Sequence, residues 1–122
     1  MTNATELALA SDPALRPIEY LCEGEVSRRS ESGRDLVFMQ GLRFYVNSKE
    51  HKMDALLCLN HPNPTYPTKL YLAERVATGV NWHETAYLLG HQWHTYSWKD
   101  VKADRPLLEI LAAHLSALNP PA

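Results

Sequence analysis

This chain of 122 residues has no basic run longer than Arg28-Arg29, no long apolar stretch and only two cysteines. Each absence excludes a class. Neutralising a nucleic-acid backbone takes clustered Lys and Arg, so a net charge of −2 argues against nucleic acid as a partner. A membrane-spanning helix needs about 20 consecutive apolar residues, and no such run exists. The opening MTNATELALASDP lacks the basic start and apolar region of a secretory signal, so a cytoplasmic location is expected. There, Cys22 and Cys58 are expected as reduced thiols rather than a disulfide. A C-x-x-C pair, a G-x-S-x-G elbow and a phosphate-binding glycine loop are all missing, as are internal repeats.

What remains is ordinary globular composition, 45% apolar and 21% charged, in a length that supports one core. Residues 1–17 are weakly patterned and read as a flexible lead-in, leaving a single domain over 18–119. Ile18, Tyr20, Cys22 and Val26 alternate, which predicts a strand over 18–26. The polar stretch 27–35 with its Ser-Gly then predicts a hairpin connection. Residues 36–46 carry the clearest strand pattern, with Leu36, Phe38, Leu42, Phe44 and Val46 on one face. Residues 53–60 are apolar on both faces, an inner strand, and a further strand is expected over 69–76, with a turn at 77–81. Between these strands lie Pro62, Pro64 and Pro67, which force a rigid connection that neither helix nor inner strand can cross. Residues 82–98 are aromatic-rich with a break at Gly90. Asp104 is the expected N-cap of a closing helix, with Pro106 in its first turn. Its apolar stripe is Leu107, Leu108, Ile110, Leu111, His114, Leu115 and Leu118, and Asn119-Pro120-Pro121 ends it. The prediction is an α+β fold: an antiparallel meander of four to five strands with a C-terminal helix packed on it.

The segment LCLNHPNPTYPTKLYL resembles the ubiquitin-conjugating enzymes and their relatives, in which a strand ends in a P-x-x-YP loop followed by another strand. Pro62, Pro64, Tyr66 and Pro67 fall in that loop, and Trp93, Trp98 and the final helix stand in similar places. The resemblance covers about residues 35–118. Active members carry a thioester-forming cysteine beyond the second strand, whereas this chain has none after Cys58, and its His61-Pro62-Asn63 lies before the YP loop. The resemblance therefore implies an inactive relative. A second resemblance is to a small family from bacterial ubiquitin-like conjugation operons with a metal site of pattern Cys…Glu…His…His. It implies zinc on Cys58, Glu74, His83 and His91, with His94 in reserve.

One thiolate, one carboxylate and two imidazoles make a tetrahedral zinc set. His91 and His94 would point to opposite faces of one strand, so His83 with His91 is the preferred pair. The competing reading makes Cys58 a buried hydrophobe, Glu74 a charge at a strand end and the histidines edges of an aromatic cluster. Cys58 sits among leucines and Cys22 beside acidic residues, settings that disfavour a nucleophilic thiolate. Tyr66, Trp93 and Trp98 are candidate partner anchors; the alternative for the aromatics is core packing. His114, on the helical stripe, reads as a core histidine. The functional expectation is a non-catalytic accessory protein of a bacterial ubiquitin-like conjugation pathway of the antiviral-defence type. It would bind the conjugating enzyme or the ubiquitin-like protein and hold a structural zinc. The alternatives are a divergent conjugating enzyme using Cys58, a zinc hydrolase with Glu74 or Glu84 as base, or an interaction domain without metal.

Overall fold

The computed structural model describes residues 13–76 and 80–119. A six-stranded antiparallel sheet has the order β1-β2-β3-β4-β6-β5, with β1 Val26–Glu31, β2 Arg34–Val46, β3 Lys49–Cys58, β4 Lys69–Leu72, β5 Glu84–Leu88 and β6 His91–Thr95. Two helices, α1 Arg16–Glu19 and α2 Leu107–Ser116, complete the α+β architecture. Residues 1–12 of the expected lead-in and 77–79 of the expected turn lie outside the described residues. The described end of the lead-in is packed, with Leu15 buried in the core next to Ile18 of the domain.

Three hairpins share one device. The turn pairs Ser32-Gly33, Asn47-Ser48 and Leu89-Gly90 all take positive φ, and each separates directly paired residues. These are two-residue loops of the I′ kind, whose twist matches that of the flanking strands. Leu89 at φ 53° is the costly member, about 1 kcal/mol or more for a side chain in the left-handed region. Its side chain packs on the buried cluster below the hairpin. Its N–H donates to Glu31 Oε1 at 3.1 Å.

That last bond joins opposite edges of the sheet, since Glu31 ends β1 and Leu89 follows β5. The sheet is therefore curled, and its concave side encloses Leu36, Leu56, Cys58, Tyr71, Leu88 and Trp93 in a core of their own. The larger core lies on the convex side under the helices, where α2 contributes Leu107, Ile110 and Leu111.

Several expectations change here. The strand count is six rather than four to five, because residues 82–98 fold back at Leu89-Gly90 into a β5–β6 hairpin. The stretch 18–26 is not a strand. Pro17 seats a helical turn, and Cys22 contributes only an isolated bridge to Leu42. The polar stretch 27–35 instead forms β1 and its turn, with a mostly exposed edge strand that needs no apolar pattern. The expected common face of β2 is divided. Met39 pairs with Ala55 and Leu42 with Met53, so Gln40 and Gly41 together oppose Asp54. This extra residue sends Leu36 and Phe38 to the concave side, and Leu42, Phe44 and Val46 to the helix side. Finally, α2 starts at Leu107 with Pro106, not Asp104, as its N-cap. A residue before proline disfavours helical torsions, so Arg105 cannot join the helix.

Helix α2 is tied down by polar bonds at its end. Asn119 accepts from the Asn47 N–H and donates to the Tyr45 carbonyl, at 2.8 and 2.7 Å. The Tyr96 hydroxyl donates to the His114 carbonyl at 2.7 Å. The buried Thr68 hydroxyl donates to the Val101 carbonyl at 2.7 Å and lies 2.8 Å from His114 Nε2. With its one hydrogen spent on Val101, Thr68 must accept from an Nε2–H, so His114 is the neutral Nε2–H tautomer.

Two predictions follow from this geometry. At Gly41, φ is 68° and a Cβ would lie 3.2 Å from Glu23 Cβ, so Gly41→Ala should cost about 1–2 kcal/mol in urea unfolding. Burial, with a smaller push from Lys69, lowers the His114 pKa to about 4. The unfolded chain then binds the extra proton first. The stability contributed by neutral His114 is complete above about pH 6.5 and is lost as pH falls toward 4. Unfolding free energy should drop over that window by about 3 kcal/mol, and His114→Gln should flatten the dependence.

Candidate functional site

At one end of the curl, strand geometry gathers polar side chains over the concave core. Cys58 and Lys69 are paired neighbours on β3 and β4, and Tyr71 follows two residues on, on the same face. Lys69 is 4% exposed although it carries a charge in an inner strand. Its ammonium lies 3.0 Å from His83 Nε2 and 5.4 Å from the centre of the Tyr66 ring. A protonated lysine has only hydrogens to offer, so His83 accepts at Nε2 and keeps its proton on Nδ1. That Nδ1–H faces Ser97 Oγ at 3.0 Å and the Asn81 carbonyl at 3.3 Å. Glu84 Oε1 stands 3.7 Å from His83 Nε2 at the solvent-exposed rim. His61 enters from the proline loop, whose backbone is closed by His61 N–H to Pro67 O and Tyr66 N–H to Asn63 O.

Burial dominates the electrostatics. It lowers the Lys69 pKa, opposed by Glu84, and lowers that of His61, reinforced by Lys69. It raises the Tyr71 hydroxyl to about 12. Arg34 is near enough to favour the phenolate but not in hydrogen-bond geometry, and the buried Tyr71 Oη and His61 Nδ1 have no hydrogen-bond partner among the described residues.

The expected zinc ligands do not share one place. Cys58 and His83 both flank Lys69. Glu74 is exposed beyond the far end of β4, and His91 is exposed at the end of β6 remote from Ser97, its ring edge-on to Trp93. His94 lies on the helix side, paired with Leu72. Among the described residues, no three His, Cys, Asp or Glu side chains are grouped so as to hold a metal ion. Of the expected partner anchors, Trp98 is 42% exposed and Tyr66 half-buried, whereas Trp93 is 2% exposed. The Trp93 indole N–H donates to the Leu88 carbonyl inside the β5–β6 hairpin; it is a core residue and offers no docking surface. Lys69, Tyr71 and Arg34 are site residues that the sequence reading misses, whereas His61 stands among the groups of the proline segment that could carry chemistry. The one signal in the sequence was a lysine inside a strand apolar on both faces.

Neither thiol is poised for nucleophilic work. Cys58 is fully buried, its Sγ–H directed at Asn60 Oδ1 at 3.6 Å, and burial raises its pKa. Cys22 is raised to about 11 by burial, with Arg43 opposing. Each sits in the core on a different face of the sheet, so they cannot bond to each other. Both should react with Ellman's reagent at pH 8 at least about 100-fold more slowly in the native protein than after denaturation.

Comparisons with protein-family models, curated proteins and solved structures return no match to this chain.

Proposed function

We propose that this protein is a non-catalytic binding subunit of a ubiquitin-like conjugation pathway, with a sheet related to that of the conjugating enzymes. The observation that carries the non-catalytic part is the position of Cys58. A thioester-forming cysteine needs an exposed thiolate, and this thiol is sealed beneath Leu36, Leu56 and Tyr71 with its pKa raised. The pathway assignment rests on the proline loop and on its likeness to the conjugating-enzyme loop before the next strand.

The partner would be the pathway's conjugating enzyme, docked beside that loop. The loop is held to the segment after Trp98 by the Asp100 N–H to Thr65 carbonyl bond at 2.8 Å. This keeps Tyr66 and Trp98 on adjoining rigid segments. An exposed tryptophan on such a base is the kind of anchor that dominates interface energies.

Charging the ubiquitin-like protein with its activating enzyme in the presence of this chain should yield no adduct at Cys58. Binding to the conjugating enzyme, followed by calorimetry, should weaken about 10-fold or more on Trp98→Ala and should be unaffected by Cys58→Ser. A reducible adduct lost on Cys58→Ser would make the protein an enzyme and end this reading. Metal analysis of untagged protein addresses the zinc expectation. Stoichiometric zinc that disappears in Cys58→Ser and His83→Ala would require those side chains to regroup around the ion.

A further inference from the structure

The mouth of the curl has the composition of a ligand site, independently of any pathway. Its floor is built of groups that donate hydrogen bonds. Lys69 carries up to three ammonium hydrogens and has one hydrogen-bond partner among the described residues, a neutral imidazole. The Tyr71 O–H is buried with no acceptor, and Arg34 approaches it from the start of β2. Buried polar groups in folded proteins are nearly always satisfied, so a side chain that is 0% exposed with an idle hydroxyl calls for a partner. Glu84 acts on Lys69 by charge from the rim, 3.7 Å from the unprotonated His83 Nε2, and no carboxylate of the described residues forms an ion pair with Lys69.

We propose that this mouth binds a carboxylate, one oxygen on the Lys69 ammonium and the other on the Tyr71 hydroxyl. Arg34 and His61 complete its rim. The shape of the set favours this class. Lys69 and Tyr71 project from the same face of one strand, two residues apart, a spacing that a planar two-oxygen acceptor can bridge. Tyr71 stays a donor because burial keeps it protonated. Cys58, beside both, adds an uncharged wall, because its raised pKa keeps the thiol neutral. His83 and Glu84, both partly open to solvent, stand at the rim; Tyr71 is 0% exposed, so a ligand reaches the floor only as rim side chains move aside. Two sources could supply the group, a small free carboxylic acid or the C-terminus of a peptide.

The test is a titration of the full chain, observed through the His83 ring protons and the backbone amides of β4. The probes are sodium acetate, the dipeptide Gly-Gly and, as a neutral isostere, acetamide. Acetate should shift these resonances saturably with a dissociation constant on the order of millimolar, and acetamide should not. Tyr71→Phe should weaken acetate by about 5-fold or more. That variant should fold at least as stably as the parent without ligand, because it deletes an unpaired hydroxyl. Lys69→Met should abolish the response; if it does not fold, the Tyr71→Phe result stands alone. Gly-Gly binding much more tightly than acetate identifies a peptide terminus, whereas equal or weaker binding identifies a small acid. Non-saturating shifts, an equal response to acetamide, or acetate binding unchanged in Tyr71→Phe would each overturn the proposal. Because no pathway protein is present, failure here leaves the partner reading untouched, and failure of that reading leaves this site standing.

Discussion

The kink in β2 is the constraint on which the rest depends. Gly41 adopts a left-handed torsion that other residues enter only with strain, and its N–H is taken by the Asp54 side chain at 2.9 Å. One extra residue there reverses the facing of everything beyond it. The first half of β2 serves the concave core with Leu36 and Phe38, the second half the helix-side core with Leu42, Phe44 and Val46. A bulge also sharpens local twist, and the sheet is curled enough for its two edges to meet at Glu31 and Leu89. Without that curl the concave apolar cluster would lie open to water, and Lys69 and Tyr71 would be surface residues.

The proline segment between β3 and β4 then acts as a brace rather than a tether. Its prolines limit the conformations open to the unfolded chain. Its last residue, Thr68, reaches through to Val101 and His114. The same few residues thus hold the helix against the convex face and present Tyr66 and His61 beside the concave mouth. Structural and candidate functional roles meet at the start of β4.

How much of this was legible in the sequence depended on whether the signal was local. The inner strand β3 announces itself through 55–59, and α2 through residues spaced three and four apart. The extended character of β2 was equally plain, but not its division, because a bulge leaves no periodic trace beyond a single glycine. Strand β1 was hidden since an edge strand can be polar on both faces, as Ser27 to Ser30 are. Trp93 and Trp98, alike in sequence, end in opposite surroundings because one lies inside a tight hairpin and the other beyond it. The mouth was the least readable part. Arg34, His61, Lys69, Tyr71 and His83 come from separate segments, and only the curl brings them together.

The seam between β4 and β6 is short: two residue pairs, Tyr71 with Thr95 and Leu72 with His94, reinforced by the Thr95 hydroxyl on the Leu70 carbonyl at 2.8 Å. The β5–β6 hairpin is complete in its own ladder, and it joins the rest of the sheet through that short seam and the shared concave core. Tyr71 belongs to the seam itself, and Lys69 grips His83 across it. The polar mouth therefore sits at the narrowest join of the sheet, where a ladder of only two pairs is backed by side-chain bonds across it.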